Sequence, residues 1–110
     1  LQMNVCLSYG SRGEIVNACR DIARDCANSV MTVDQISEET FKQHLLTKHC
    51  GDVDVLIRTS GEIRISNYLL WQLAYAEMFF VSKNWPELEK SDLLDVIRSY
   101  ANGRHRRFGK

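Results

Sequence analysis

Residues 54–77, DVLIRTSGEIRISNYLLWQLAYAE, contain the pattern that decides the fold of this chain. The apolar run at residues 54–57 is typical of a strand inside a parallel sheet. A polar loop interrupts this strand, and Ser66 or Asn67 is placed to cap a helix that begins at Tyr68. A strand, a loop and a helix start in this order predict an α/β fold with a mainly parallel sheet flanked by helices.

Two arginines and a serine lie where this strand meets the predicted helix. Ligands of open α/β sheets usually bind at the carboxyl ends of strands, and a helix start there offers N–H groups to an anion. The guanidinium groups of Arg58 and Arg64, if brought to about 6 Å, would repel by roughly 2–3 kcal/mol at an effective dielectric of about 20. A bound dianion would remove that cost, and Ser66 adds a hydroxyl donor. The pattern favours phosphate or diphosphate binding over the alternative, in which both arginines pair with surface acids such as Asp54 or Glu62.

The segments before this stretch alternate between strand and helix signals. Residues 1–7 alternate as a strand with one apolar face, made of Leu1, Met3, Val5 and Leu7. Ser11 and Glu14 predict a capping box at the start of a helix, and Arg12 there could face a phosphate, Glu14 or solvent. The apolar face of this helix includes Ile15, Ala18 or Cys19, Ile22 and Cys26. Further helix starts are predicted near Thr32 and Ser37, with a buried stripe of Phe41, Leu45 and Leu46.

The segments after it predict one more strand and one more helix. Residues 78–81 form a second buried apolar run, and Trp85 with Pro86 ends it. Ser91 and Asp92 then begin a last helix, whose predicted inner side contains Leu93, Ile97, Tyr100 and Ala101.

Composition limits the class of protein. The 110 residues are the size of one domain, and the 14 basic and 14 acidic residues cancel, which argues against a general nucleic-acid binder. The four cysteines show no metal-ligand spacing, so free thiols in a reducing, intracellular compartment are expected. From Arg98 onward the chain has five basic residues and no acid, a pattern that suits anionic lipid headgroups, RNA or the last turn of a helix.

A long ordered motif resembles one known family. Residues 57–67, IRTSGEIRISN, then LLWQ at residues 69–72 and Ala74-Tyr75-x-Glu77, closely resemble the signature of the cis-prenyltransferases. These are the undecaprenyl diphosphate and dehydrodolichyl diphosphate synthases. Residues 9–15 and the segment Trp85-Pro86-Glu87 are similar to further stretches of the same family. The resemblance implies an undecaprenyl diphosphate synthase-like α/β fold.

The resemblance also implies roles for individual residues. Arg58, Arg64 and Ser66 match the residues that hold the diphosphate of isopentenyl diphosphate, and Glu77 matches a carboxylate that helps to bind Mg²⁺. The closing Arg107-x-Gly109 resembles a motif that completes the diphosphate site of the neighbouring subunit, which implies a homodimer.

The implied reaction condenses isopentenyl diphosphate onto an allylic diphosphate such as farnesyl diphosphate and builds a long Z-polyprenyl diphosphate. The family's catalytic aspartate lies in an N-terminal Asp-Gly-Asn-x-x-Arg-Trp stretch that has no counterpart here, so no catalytic residue is assigned in this segment. We expect residues 1–110 to be the C-terminal portion of a single catalytic domain, inactive alone. The alternative is a non-catalytic partner subunit of such an enzyme. The expected location is the cytoplasm or the cytosolic face of a membrane, the endoplasmic reticulum in a eukaryote, with peripheral membrane contact.

Overall fold

The computed structural model describes residues 1–103, which contain three α-helices, two β-strands and two short 3₁₀ turns. The helices are α1 (Ser11–Ala27), α2 (Glu38–Lys42) and α3 (Lys90–Asn102), the strands are β1 (Val55–Arg58) and β2 (Glu77–Phe80), and the 3₁₀ turns are Val33–Gln35 and Trp85–Glu87. The chain divides into two compact units. The first contains Leu1–Gly51 and Asn67–Leu70, and the second contains Asp52–Ser66 and the chain from residue 71 onward.

The buried face of α1 organises the first unit. Ser11, Glu14, Ala18 and Ile22 are buried at the three- and four-residue spacing that places side chains on one side of a helix. Ala18 and Ile22 were predicted to lie on this face, and both are buried. Cys19, the alternative to Ala18, is exposed. Leu45 is also buried, whereas Leu46, which was predicted beside it, is exposed.

The short helix α2 begins as its sequence predicts. Ser37 is the N-cap, and its hydroxyl accepts a hydrogen bond from the Thr40 N–H. The predicted start near Thr32 is only a 3₁₀ turn, although Thr32 and Gln35 form the capping box that their spacing suggests. Two local N-terminus signals are therefore confirmed, but only one of them is followed by an α-helix.

The predicted strand at residues 1–7 is wrong for this structure. Residues 1–6 have no regular secondary structure, and the side chains of Leu1, Met3, Val5 and Leu7 are exposed. An alternating pattern supplies a strand with one apolar face, but the strand exists only where a neighbour accepts its backbone hydrogen bonds. No strand of the described residues pairs with this segment.

The second unit contains a two-stranded parallel sheet. β1 pairs with β2 in the register Val55 to Glu77 and Arg58 to Phe80, and the Glu77 N–H donates to the Asp54 carbonyl at 2.9 Å. The α/β class with a parallel sheet is therefore confirmed. Both predicted strands form, although their side chains are half-buried or exposed rather than buried.

The helix predicted to begin at Tyr68 does not form. The chain runs through turns from Ser66 to Tyr75, and Ser66, Asn67 and Leu69 have positive φ angles of 48°, 61° and 47°. A right-handed helix cannot contain such residues, because each left-handed residue points the next peptide away from the helix axis. The spacing of the apolar residues does not predict this backbone conformation.

The buried side of α3 also differs from its prediction. Val96 is buried, whereas Leu93, Ile97 and Ala101 are exposed and Tyr100 is half-buried. The predicted stripe is apolar and helically spaced, but the side that packs in the described residues is centred on Val96. Within residues 1–103, α1 and α3 both fall short of the length and apolar character that crossing a bilayer requires.

His44 joins α1 to the segment that follows α2. Its Nε2 lies 2.9 Å from Asp25 Oδ2, and its Nδ1 lies 2.8 Å from the Thr40 carbonyl oxygen. The hydrogen bond to Asp25 raises the pKa of His44 above its usual value, and the hydrogen bond to Thr40 raises it further. Both partners accept, so the imidazolium satisfies both contacts.

We predict that this contact stabilises the protein at low pH and weakens as pH rises. Because the folded-state pKa is raised, the stabilisation is fully present below the unfolded value of about 6.5 and is lost as pH rises through the folded value. Thermal unfolding of wild type and His44→Gln should therefore differ most near pH 6 and converge in alkaline solution. His49→Gln, at an exposed histidine, is the control. A wild-type advantage that grows with pH would contradict the assignment.

Candidate functional site

Backbone hydrogen bonds hold the loop that leaves β1. The Val81 N–H donates to the Arg58 carbonyl at 2.7 Å, and the Val81 carbonyl accepts from the Gly61 N–H at 3.0 Å. The Ser60 N–H donates to the Lys83 carbonyl at 2.8 Å. Ser60 and Gly61 both have φ of 66°, a conformation that glycine adopts without strain and serine does not. The loop is therefore pinned to the segment after β2 directly beyond Arg58.

An ion pair fixes Lys83, one of the residues that pins this loop. Its Nζ donates to both carboxylate oxygens of Asp92, at 3.0 and 2.9 Å. The Asp92 carboxylate also accepts from the Glu89 N–H at the start of α3. This backbone donor and the Lys83 ammonium lower the pKa of Asp92, and the Asp92 partner raises the pKa of Lys83. The loop after β1 is thus connected through Lys83 to the first turn of α3.

The two predicted arginines have different environments. Arg58 is half-buried at the end of β1 and forms no ion pair within residues 1–103. The Arg64 side chain is 62% exposed and forms a close ion pair with Glu62. Arg64 therefore has the surface pairing that the sequence left open as an alternative, whereas Arg58 does not. A half-buried guanidinium without a counter-ion is the stronger anion-binding feature of the two.

Ser66 ends the loop in a setting that the sequence did not predict. Its side chain is exposed and its φ is 48°. Because no helix begins at Tyr68, the predicted helix-start N–H groups for an anion are absent from this segment. The prediction that Ser66 or Asn67 caps that helix is therefore wrong.

Asn67 instead caps α1, in the first unit. Its backbone carbonyl accepts from the Ser11 N–H, and its Oδ1 accepts from the Arg12 N–H, both at 2.8 Å. The predicted capping box of Ser11 and Glu14 is absent because Gly10 is the N-cap residue. The first two N–H groups of α1 already have acceptors, so this helix start offers little to the phosphate that Arg12 was considered to face.

Glu77 lies away from Arg58 on the parallel sheet. It is the first residue of β2 and pairs with Val55, whereas Arg58 is the last residue of β1. Three residues along a strand span about 10 Å, and alternation places Glu77 and Arg58 on opposite faces of the sheet. Within residues 1–103, no group of three or more His, Cys, Asp or Glu residues is arranged to hold a metal ion. Arg107 and Gly109, the remaining predicted binding residues, lie outside the described residues.

Comparison with known proteins places the chain in a family. Residues 1–109 match the prenyltransferase family model described as "Putative undecaprenyl diphosphate synthase". The chain belongs to this family of cis-prenyltransferases. It is 50% identical over 109 residues to a tritrans,polycis-undecaprenyl-diphosphate synthase (geranylgeranyl-diphosphate specific) of Picrophilus torridus. It is 44% identical over 109 residues to an isoprenyl transferase of Listeria innocua.

A solved structure shows the same fold. The crystal structure of lavandulyl diphosphate synthase from Lavandula x intermedia, in complex with dimethylallyl diphosphate, matches 94% of this chain with a TM-score of 0.88 and 42% identity. The match covers 44% of that protein, and the two curated relatives are covered over 42% and 43% of their lengths, against 99% of this chain. This cis-prenyltransferase chain therefore spans less than half the length of the relatives it matches.

Sequence reasoning missed a buried polar cluster in this cis-prenyltransferase chain. Glu14 is 6% exposed; one carboxylate oxygen accepts from the Tyr9 hydroxyl at 2.5 Å and the other from the Leu46 N–H at 2.8 Å. Burial and the hydrogen bond to Glu14 raise the pKa of Tyr9 to about 12. Glu14 lies four residues before Ala18, which lies four before Ile22, so all three share one side of α1. This spacing could have predicted the burial of Glu14.

We predict that the Lys83–Asp92 ion pair protects the loop after β1. Lys83→Met removes the charge but keeps most of the apolar stem, so Asp92 loses its cation and the segment that binds Ser60 is freer to move. Hydrogen exchange at the Ser60 and Gly61 amides should accelerate. Arg98→Met, which breaks the exposed α3 pair with Asp95, is the matched control and should leave both amides unchanged. Equal exchange in the two variants would show that the backbone bonds suffice without the pair.

Proposed function

We propose that this chain forms the isopentenyl diphosphate side of an enzyme that builds a long Z-polyprenyl diphosphate of the undecaprenyl or dehydrodolichyl type. The observation that carries the proposal is the half-buried Arg58 guanidinium, which ends β1 without an ion pair in the described residues and precedes a pinned loop. The same loop contains Arg64 and ends at Ser66. Family membership supports a prenyl diphosphate as the anion.

The charges of the loop suit a diphosphate. A guanidinium donates two parallel hydrogen bonds to phosphate oxygens, and such charge-assisted bonds are stronger than neutral ones. Arg58, which has no ion pair within residues 1–103, would gain a counter-ion. Arg64 would exchange Glu62 for the ligand at small cost, because a largely exposed ion pair contributes at most about 1 kcal/mol. The Ser66 hydroxyl would donate a further bond.

In the proposed reaction, isopentenyl diphosphate is the nucleophile. The allylic carbon–oxygen bond breaks and releases diphosphate, the double bond of isopentenyl diphosphate forms the new carbon–carbon bond, and a proton leaves to give a Z double bond. Arg58, Arg64 and Ser66 hold the diphosphate that is retained, so the double bond is oriented toward the electron-poor carbon.

Mg²⁺ is the proposed metal, and Glu77 is its proposed ligand in this chain. Mg²⁺ typically uses one or two carboxylates, several waters and substrate phosphate oxygens, so a single carboxylate from this chain is compatible with it. When bound, the metal would neutralise diphosphate charge. Glu77 lies beside Val55 and on the face of the sheet opposite Arg58, so it would not contact a phosphate group held by Arg58.

The rest of the proposed enzyme lies outside residues 1–103 of this chain. We propose that the catalytic aspartate and the allylic substrate site belong to a segment upstream of this chain. Arg107 and Gly109 of a second copy would complete the diphosphate site, which requires a homodimer. Peripheral contact with a membrane, at its cytosolic face, would suit a product as apolar as a polyprenyl chain.

The proposal predicts that Arg58→Ala and Arg64→Ala raise KM for isopentenyl diphosphate. Loss of hydrogen bonds to a charged group costs about 1.5–3 kcal/mol, or roughly 10- to 100-fold in KM, and Ser66→Ala should cost less. Steady-state kinetics of the full-length protein with farnesyl diphosphate and Mg²⁺ measure this, with exposed Arg98→Ala as the control.

Unfolding temperatures of these variants should remain close to wild type, because all three side chains lie at the surface or half-buried. Wild-type KM in Arg58→Ala would overturn the assignment. A wild-type protein that binds no isopentenyl diphosphate, yet activates a second subunit, would establish the non-catalytic alternative.

Substitution of Glu62 is expected to lower KM for isopentenyl diphosphate, whereas the substitutions above raise it. Glu62→Gln removes the carboxylate that pairs with Arg64, so the guanidinium no longer exchanges one anion for another. We expect KM for isopentenyl diphosphate to fall by up to about fivefold, since exposed pairs contribute at most about 1 kcal/mol. The double variant Glu62→Gln/Arg64→Ala should lose this gain. A higher KM in Glu62→Gln alone would instead mean that Glu62 holds Arg64 in its binding position.

A further inference from the structure

Apolar side chains share one face of the parallel sheet with Arg58. β1 and β2 pair with Leu56 opposite Met78 and with Arg58 opposite Phe80. Side chains two residues apart on a strand project from the same face, and residues in register on the neighbouring parallel strand project from that face as well. We call Leu56, Arg58, Met78 and Phe80 the Arg58 face. All four residues belong to the second unit.

The β2 half of the Arg58 face is exposed. Met78 is 42% exposed and Phe80 is 40% exposed, whereas Phe79, which projects from the opposite face, is half-buried. A sheet normally buries its apolar face against another layer. Two large apolar side chains that remain exposed beside each other on one face therefore form a surface that an apolar partner can cover.

The charge on this face favours one kind of partner. Arg58 forms no ion pair within residues 1–103. The only carboxylate among the paired residues of the two strands is that of Glu77, which projects from the opposite face. The Arg58 face thus offers a cation next to apolar side chains. An anion that carries a short hydrocarbon group matches both parts, whereas an inorganic anion uses only the cation.

We propose that Leu56, Met78 and Phe80 bind the hydrocarbon group of isopentenyl diphosphate and make the site selective for this substrate over free diphosphate. This inference rests on the proposed function, in which Arg58 holds the diphosphate. Neighbouring strands lie about 4.8 Å apart, and two residues along a strand span about 7 Å. Four bonds of about 1.5 Å reach roughly 5 Å, so an isopentenyl group extending from Arg58 can cover Phe80 and approach Met78.

The proposed reaction gives this selectivity a purpose. Each condensation releases free diphosphate, which can form the same charge-assisted hydrogen bonds with Arg58 as the substrate does. A site that recognised only the anion would therefore be inhibited by its own product. Each CH₂-sized group that leaves water on binding favours the substrate roughly fourfold, and free diphosphate has no such group.

The test compares the two ligands in the full-length protein, with farnesyl diphosphate and Mg²⁺ at saturating concentration. Met78→Ala and Phe80→Ala should each raise KM for isopentenyl diphosphate roughly 4- to 15-fold, the effect of one or two CH₂-sized groups left in water. The inhibition constant of free diphosphate, measured in competition with isopentenyl diphosphate, should stay unchanged. Arg58→Ala should raise both constants, because both ligands need the cation.

Ile97→Ala is the matched control. Ile97 is 59% exposed on α3, so its truncation also removes an exposed apolar side chain from the second unit and should leave both constants unchanged. If Met78→Ala or Phe80→Ala does not fold, Met78→Thr or Phe80→Thr replaces it, because threonine suits a strand better than alanine does.

The outcomes separate this inference from the proposed function. Wild-type constants in Arg58→Ala, or a wild-type protein that does not turn over isopentenyl diphosphate, overturn both. An impaired Arg58→Ala together with wild-type KM in Met78→Ala and Phe80→Ala overturns the inference alone, as does an equal rise of both constants in these variants. Sedimentation at the assay concentration gives the oligomeric state, and loss of a dimer without a change in KM would assign the Arg58 face to a second copy of the chain instead.

Discussion

The peptide groups of Val81 determine where the loop after β1 can lie. The Val81 N–H donates to the Arg58 carbonyl, and the Val81 carbonyl accepts from the Gly61 N–H, so the chain turns immediately after β1. Backbone groups that leave a sheet need new partners, and here the partners come from the segment that follows the neighbouring parallel strand. Parallel pairing brings the carboxyl ends of β1 and β2 to one edge. The loop with both arginines therefore depends on β2, although β2 contains none of the residues that we propose to bind the diphosphate.

The sequence predicted features that depend on neighbours in the chain and missed those that depend on distant partners. The strands near Val55 and Met78, the helix over residues 11–27 and the cap at Ser37 follow from local composition and were found. The strand at residues 1–7 failed because pairing requires a partner that periodicity does not reveal. The helix at Tyr68 failed because three left-handed residues interrupt an apolar pattern that otherwise suits a helix. The sequence predicted that Ser66 or Asn67 caps a helix at Tyr68, whereas Asn67 accepts hydrogen bonds at the start of α1, more than fifty residues earlier in the chain.

Polar residues on the buried face of α1 explain why that helix has such a defined start. Ser11 and Glu14 occupy positions that a helix would normally fill with apolar side chains, yet each has hydrogen-bond partners from other segments. A buried polar group without partners is costly, so these contacts favour one arrangement of the segments over others that merely bury apolar surface. Such groups therefore contribute to the specificity of packing and not only to stability.

Zero net charge is compatible with the proposed dianion site because affinity depends on local charge. The 14 basic and 14 acidic residues give no net attraction at long range, and ions screen exposed charges beyond about 8 Å at physiological ionic strength. The Arg58 guanidinium is half-buried, whereas Arg64 is paired with Glu62, which the proposed anion would have to replace. In the proposed site, a carboxylate in this position would discriminate against weak anions, because a ligand would have to compete with Glu62 for the second arginine. A diphosphate, with several oxygens and more than one charge, competes better than a carboxylate or a lone phosphate monoanion would.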